Sequence, residues 1–98
     1  MKLTAVVKVK NSLGLHIRPA TAIVKLLQGA RSTVLFSVRD QTVNAKSIMS
    51  LLVLSAQRNS KVTIVVEGED AEVVMEKLLL GFEEQFGESD GGNTRVLS

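Results

Sequence analysis

Alternating apolar and polar residues predict four strands. In KLTAVVKVK, residues 2–10, the odd positions are apolar and the even positions mainly polar, the period-2 pattern of a half-buried strand. KVTIVVEG, residues 61–68, follows the same pattern. Two shorter β-rich runs, STVLFSV and QTVN, are separated by Arg39 and Asp40, which indicates a hairpin.

Three other segments have helical spacing. The first begins near Arg18 and is predicted to end with Gly29 as its cap. The second lies in KSIMSLLVLSAQ, where the Ser47 hydroxyl is predicted to cap the helix start. The third runs from Asp70, its predicted N-cap, to Gly87. Its apolar stripe is the clearest in the chain and consists of Ala71, Val74, Met75, Leu78, Leu79, Phe82 and Phe86.

The predicted order is therefore βαββαβα. We expect the three helices to cover one face of an antiparallel four-stranded sheet, an open-faced α/β sandwich of the α+β class. The length of 98 residues fits one domain, which we place at residues 1–87. The polar, glycine-rich segment 88–98 is predicted to be a flexible tail without a site.

Composition removes several functional classes. The longest apolar runs are far shorter than the roughly 20 residues that span a bilayer, and the first segment alternates like a strand instead of forming a signal-peptide core. We therefore expect a cytoplasmic protein without membrane insertion. The absence of cysteine excludes a disulfide, a thiolate zinc site and a thiol nucleophile. A net charge of +2 without a Lys/Arg run gives poor support to nucleic-acid binding.

The one histidine, His16, lies in NSLGLHIRPATA between Gly14 and the predicted start of the first helix. A helix start leaves backbone N–H groups unpaired and carries partial positive charge, so it is an anion site. Its predicted donors are the amides of Ile17 and Arg18. Pro19 has no N–H to donate, which costs nothing in the first turn.

This arrangement suits a phosphoryl group on the imidazole of His16. The phosphoryl oxygens would meet the helix amides and the Arg18 guanidinium, where their charge needs stabilising. The alternative is that His16 only caps or packs at the helix start, and composition does not decide between the two. No metal site or other cofactor is expected, because there is no second histidine and no cysteine. A serine hydrolase lacks a serine flanked by elbow-type glycines.

Three motifs resemble those of one known family. GLHIRPAT resembles the active-site motif of HPr, the histidine-containing phosphocarriers of the bacterial phosphotransferase system, and VNAKSIMSLLVLSA and VEGEDAE resemble the family's two other signatures. They occur in the family's order and spacing over residues from about Met1 to Gly87. The resemblance implies the same βαββαβα sandwich and a monomeric carrier in sugar uptake, rather than a stand-alone catalyst.

The resemblance also implies roles for individual residues. His16 would accept phosphate on Nδ1 from enzyme I, itself phosphorylated by phosphoenolpyruvate, and pass it to an enzyme IIA domain or a regulator. Arg18 would stabilise the phosphoryl group. Ser47 matches a serine that a dedicated kinase phosphorylates in many members, so HPr kinase/phosphorylase and transcriptional regulators join the implied partners. Ile17 stands where the family usually has a small or polar residue, which would affect the choice of partner.

Ile48 and Met49, together with the start of the first helix, are predicted to form an apolar docking surface beside His16. The alternative is that Ile48 belongs to the core. Two other functions stay open at this point. One is a regulatory carrier that serves gene control or nitrogen sensing without sugar transport. The other is a non-catalytic interaction domain in which His16 and Ser47 are structural.

Overall fold

The computed structural model describes residues 1–88, so the predicted tail, apart from Glu88, lies outside the described residues. The order βαββαβα is confirmed. The elements are β1 (Lys2–Lys8), α1 (Ile17–Leu26), β2 (Thr33–Val38), β3 (Gln41–Asn44), α2 (Ile48–Leu54), β4 (Lys61–Glu67) and α3 (Ala71–Glu83), followed by one 3-10 turn, Gln85–Gly87.

The four strands form an antiparallel sheet in the order β1-β4-β2-β3. β4 lies inside the sheet and pairs with β1 from Lys2↔Glu67 to Lys8↔Lys61. Its other edge pairs with β2, and β2 forms the predicted hairpin with β3. Arg39 makes that tight turn without glycine by adopting a left-handed φ of 56°.

The helices pack on one face of this sheet, as predicted. Alternate side chains of β4 are fully buried against them, and burying each such side chain contributes roughly 1.5–3 kcal/mol. The other face carries the polar positions, together with the exposed Val6. The largest fully buried side chains come from both the sheet and the helices, and they include Ile23, Phe36, Leu51, Ile64 and Leu78.

Two helices end earlier than the sequence predicts. α1 ends at Leu26, and Gly29 lies in the following turn with a φ of 83° instead of serving as the cap residue itself. α3 ends at Glu83 and not at Gly87.

Phe86 folds back onto α3 instead of continuing it. Gln85 and Phe86 both have left-handed φ values, 57° and 52°, which end the α-helical geometry. The Phe86 ring lies over Gly81, where a Cβ would come within 2.4 Å of it. It also meets the Phe82 ring edge-on, with centroids 4.9 Å apart. Phe86 is apolar and lies at helical spacing whether α3 continues or the chain folds back. The hydrophobic period therefore did not reveal where α3 ends.

Asp70 occupies the N-cap position of α3, but its side chain makes no capping hydrogen bond. Its carboxylate instead accepts hydrogen bonds from the backbone N–H groups of Arg31 and Ser32, both at 2.9 Å, and from the Ser32 hydroxyl. The Ser32 hydroxyl, and then the Arg31 amide, lower the pKa of Asp70 from 3.8 to about 2. Asp70 therefore ties the segment before β2 to the start of α3.

Within residues 1–88, no helix combines the length and the apolar character that crossing a bilayer requires.

Replacing Asp70 with Asn should destabilise the fold at neutral pH, because an amide oxygen replaces a charged acceptor. The wild-type carboxylate contributes stability that is fully present above the unfolded pKa of 3.8 and is lost as the pH falls through about 2. Urea unfolding should therefore show a fall in wild-type stability over this pH window that Asp70→Asn lacks. Asp40→Asn, at the exposed hairpin turn, is the control. An unchanged pH profile in Asp70→Asn would contradict this role.

Candidate functional site

His16 lies at the start of α1, where the sequence places it; it is the N-cap residue, and its backbone is extended there. Its carbonyl accepts the first helical hydrogen bond, from the Ala20 N–H at 3.0 Å. Its ring makes no capping hydrogen bond. The imidazole therefore does not cap the N-terminus of α1, and its nitrogens can form other hydrogen bonds.

The segment before His16 is held against the backbone that follows α2. Gly14 has a φ of 71°, and a Cβ on it would lie 2.3 Å from the Ala56 carbonyl oxygen. That same oxygen accepts a hydrogen bond from the Leu15 N–H at 2.8 Å, and the Leu15 side chain is buried. Only glycine fits this approach, so the position of His16 depends on it.

The His16 ring contacts a carboxylate. Its Nε2 lies 2.6 Å from Oε2 of Glu88, and the two side chains are only 28% and 20% exposed. Because an ionised carboxylate can only accept, Nε2 is the donor. Among residues 1–88, Nδ1 has no hydrogen-bond partner. In the neutral ring, the free electron pair is then on Nδ1.

Glu88 is itself held by Asn11. The Asn11 side chain is fully buried, and its Nδ2 donates to Oε1 of Glu88 at 2.8 Å and to the Gln85 carbonyl at 3.0 Å. The carboxylate thus bridges Asn11 and His16 with its two oxygens. Neither residue was predicted from the sequence, because Asn11 lies in the loop before α1 and Glu88 falls in a polar segment without periodicity.

The predicted anion donors stand at the start of α1. Ile17 and Arg18 are its first two residues, so their N–H groups have no partner four residues earlier inside the helix. The exposed Arg18 guanidinium makes no ion pair with the described residues 1–88. Arg18, Phe86 and Glu88 are among the residues that line a cleft of about 330 Å³. The surroundings of His16 therefore contain a carboxylate as well as the expected positive charge.

Ser47 caps α2 as predicted, because its hydroxyl oxygen accepts a hydrogen bond from the Ser50 N–H at 3.2 Å. Ile48 packs partly against the core, which is the alternative that the sequence left open. Met49 is 72% exposed. Of the two predicted docking residues, Met49 is therefore exposed to solvent, whereas Ile48 is partly buried.

α2 also borders His16. Leu52 of α2 lines, with Leu13 and His16, a depression of about 300 Å³. Several large apolar side chains on this side of the molecule are exposed, and we call them the apolar rim: Leu13, Ile17, Met49 and Val53. Ile17 lies at the start of α1, which was predicted to join the docking surface, whereas Leu13 and Val53 were not named in that prediction.

Known proteins are similar to this chain in sequence and in fold. The family profile described as "PTS HPr component phosphorylation site" matches residues 3–84. Phosphocarrier protein HPr of Chlamydia trachomatis serovar D is 42% identical over 87 residues, which are 89% of this chain and 80% of that protein. The HPr of Chlamydia muridarum is 41% identical over 87 residues, which are 89% of this chain and 84% of that protein.

Solved structures agree. The crystal structure of HPr-C-His from Thermoanaerobacter tengcongensis superimposes with a TM-score of 0.84 at 32% identity, covering 89% of this chain and 98% of that one. HPr from Bacillus anthracis str. Ames gives a TM-score of 0.74 at 35% identity, over 79% of this chain and 92% of that one. The family match includes the His16 loop and the start of α2. The chain therefore belongs to the HPr family, the phosphocarrier proteins of the phosphotransferase system.

Proposed function

We propose that His16 of this phosphocarrier accepts a phosphoryl group on Nδ1 from enzyme I and passes it to an enzyme IIA domain in sugar phosphotransfer, in the cytoplasm. The observation that carries this proposal is that only one of the two ring nitrogens of His16 has a hydrogen-bond partner among residues 1–88. Glu88 engages Nε2 at 2.6 Å, which leaves Nδ1 as the nitrogen with a free electron pair. The ring stands at the start of α1, where an incoming anion is favoured.

The proposed transfer needs only groups at this site. The Nδ1 electron pair attacks phosphorus, so an N–P bond forms while the bond from phosphorus to the donor group of enzyme I breaks with its electron pair. The amides of Ile17 and Arg18 and the Arg18 guanidinium donate hydrogen bonds to the phosphoryl oxygens. Attack by a nucleophile of the acceptor then reverses the sequence and regenerates free His16.

His16→Ala should abolish phosphoryl acceptance while the fold is kept, because the side chain is not part of the core. Arg18→Ala should slow transfer about ten- to hundredfold, since a hydrogen bond to a charged group contributes roughly 1.5–3 kcal/mol. The measurement is acid-labile, alkali-stable labelling from phosphoenolpyruvate and enzyme I.

Lys25→Ala is the matched control, because Lys25 is a basic residue in the last turn of the same helix. It should transfer at the wild-type rate. Labelling of His16→Ala would disprove the assignment of the acceptor, and an equal rate in Arg18→Ala and Lys25→Ala would disprove the role of Arg18.

The apolar rim and the depression beside His16 are proposed to dock the donor and acceptor proteins. Leu13, Met49 and Val53 are more than half exposed, and a flexible methionine adapts to several partner surfaces. Ile48 supports this surface from beneath, because it packs against the core. Arg18 adds a positive charge that favours acidic partner groups.

Met49→Ala should weaken the binding of enzyme I by about 1 kcal/mol, or roughly fivefold in Kd, because a central apolar contact is truncated. Val6→Ala is the matched control, since Val6 is an exposed apolar residue on the opposite, open face of the sheet. Titration calorimetry measures both. If Val6→Ala weakens binding and Met49→Ala does not, the docking surface lies on the other face.

We further propose that phosphorylation of Ser47, by a kinase of the HPr kinase/phosphorylase type, regulates transfer. Phosphate adds about −1.5 to −2 charges near pH 7. At the start of α2 this charge agrees with the helix dipole and stabilises the fold by roughly 0.3–1 kcal/mol. The effect must then arise at the docking surface, where the new anion lies two residues before Met49 and repels acidic partner groups.

Ser47→Asp should slow transfer from enzyme I while the thermal unfolding temperature stays at or above that of the wild type, because Asp also caps helices. Ser47→Ala should transfer normally but lose about 1 kcal/mol of stability with the cap. Transfer and unfolding are measured for all three proteins at one ionic strength. Equal transfer rates, or a slow rate explained wholly by unfolding of Ser47→Asp, would leave Ser47 as a cap only.

A further inference from the structure

Glu88 lies beyond residue 84, where the match to the family profile ends, yet it makes the one side-chain hydrogen bond to the His16 ring among residues 1–88. Its second oxygen is held by Asn11, a buried residue that also anchors the Gln85 carbonyl. The transfer step proposed above uses Glu88 only as the partner that leaves Nδ1 free, and it assigns no role to Asn11. Their contacts therefore need a separate explanation.

The carboxylate is preorganised toward the ring. The Asn11 amide fixes one oxygen, and the 3-10 turn of Gln85–Gly87 leads the chain directly to Glu88. The Phe86 ring anchors this turn on Gly81 and Phe82. Both side chains of the His16–Glu88 pair are at most 28% exposed, so water screens the contact less than it would a surface ion pair.

The contact becomes stronger when Nδ1 is phosphorylated. Attack through Nδ1 transfers electron density from the ring to phosphorus, while Nε2 keeps its proton, so the imidazole gains positive charge. A hydrogen bond between a positively charged donor and a carboxylate is stronger than one from a neutral donor. The same principle lets a carboxylate orient a catalytic histidine and stabilise the imidazolium that forms.

We propose that Glu88 is a positioning residue for phosphotransfer: held by Asn11, it orients the His16 ring through Nε2 and stabilises the phosphorylated form of the chain. This inference rests on the proposed role of His16. It adds that the balance of phosphoryl groups between enzyme I and this chain is set partly by a residue outside the family motif.

The equilibrium of transfer tests the proposal. Phosphorylated enzyme I, freed of phosphoenolpyruvate, is mixed with the full chain at concentrations where little complex accumulates, and the label on each protein is counted. In Glu88→Gln, the ratio of phosphorylated chain to phosphorylated enzyme I should fall about tenfold, because a neutral acceptor replaces a charged one. Glu84→Gln is the matched control: it removes the same charge from an exposed residue four positions earlier and should leave the ratio unchanged.

The ring spectrum provides a second readout without phosphotransfer. In two-bond ¹H–¹⁵N correlation spectra, the wild type and Glu84→Gln should show a protonated Nε2 with a slowly exchanging, low-field Hε2 proton. In Glu88→Gln, this proton should exchange faster and move upfield, because the charged acceptor is gone.

The outcomes separate the two proposals. If Glu88→Gln slows transfer in both directions but keeps the wild-type ratio, Glu88 does not stabilise the phosphorylated form and the inference is wrong. If Glu84→Gln lowers the ratio equally, the ratio depends on the total charge of the chain and not on the contact between Glu88 and His16. The inference is again wrong. If the wild type accepts no phosphate at all, the proposed role of His16 fails first, and the inference fails with it, whatever the ring spectrum shows.

Discussion

The close approach of Gly14 to Ala56 is the constraint on which the site depends. The two backbones meet so tightly that a Cβ on Gly14 would lie 2.3 Å from the Ala56 carbonyl oxygen, and the Leu15 N–H satisfies that same oxygen. This contact connects the loop before α1 to the loop after α2. It therefore fixes where α1 begins, and with it the position of His16, relative to Met49 and Val53 of the apolar rim on α2.

A second close approach brings the other end of the chain to the same place. Gly81 allows the Phe86 ring to lie on α3, and two left-handed residues turn the backbone there. The left-handed conformation costs roughly 1–2 kcal/mol per residue, and the edge-on contact with Phe82 offsets part of it. The result is that Glu88 bridges Asn11 and the His16 ring, both distant from it in sequence.

The layered fold separates structural from functional surface. The sheet buries one face under the three helices, and the polar residues on its other face need no partner. The candidate chemistry lies at one end of the helical layer, where α1 begins beside α2, and where exposed apolar side chains surround a basic helix start. We propose that a partner docks on this end, where His16, Arg18 and Met49 are found. The Ser47 cap lies at the beginning of the same helix that carries Met49.

The sequence by itself determined the elements whose signals are local. Period-2 and helical spacing predicted the order βαββαβα, and Ser47 was identified as a cap because capping involves only neighbouring residues. Gly14, His16 and Arg18 were identified as candidate site residues for a similar reason, because they lie close together in the sequence at the start of the first helix. Three features needed the tertiary structure: the turn that ends α3, the Asp70 carboxylate bound to Arg31 and Ser32, and the Asn11–Glu88–His16 contact. The last two join residues far apart in the chain, and the turn depends on how the Phe86 ring packs against Gly81. Neither periodicity nor capping preference carries information about such contacts.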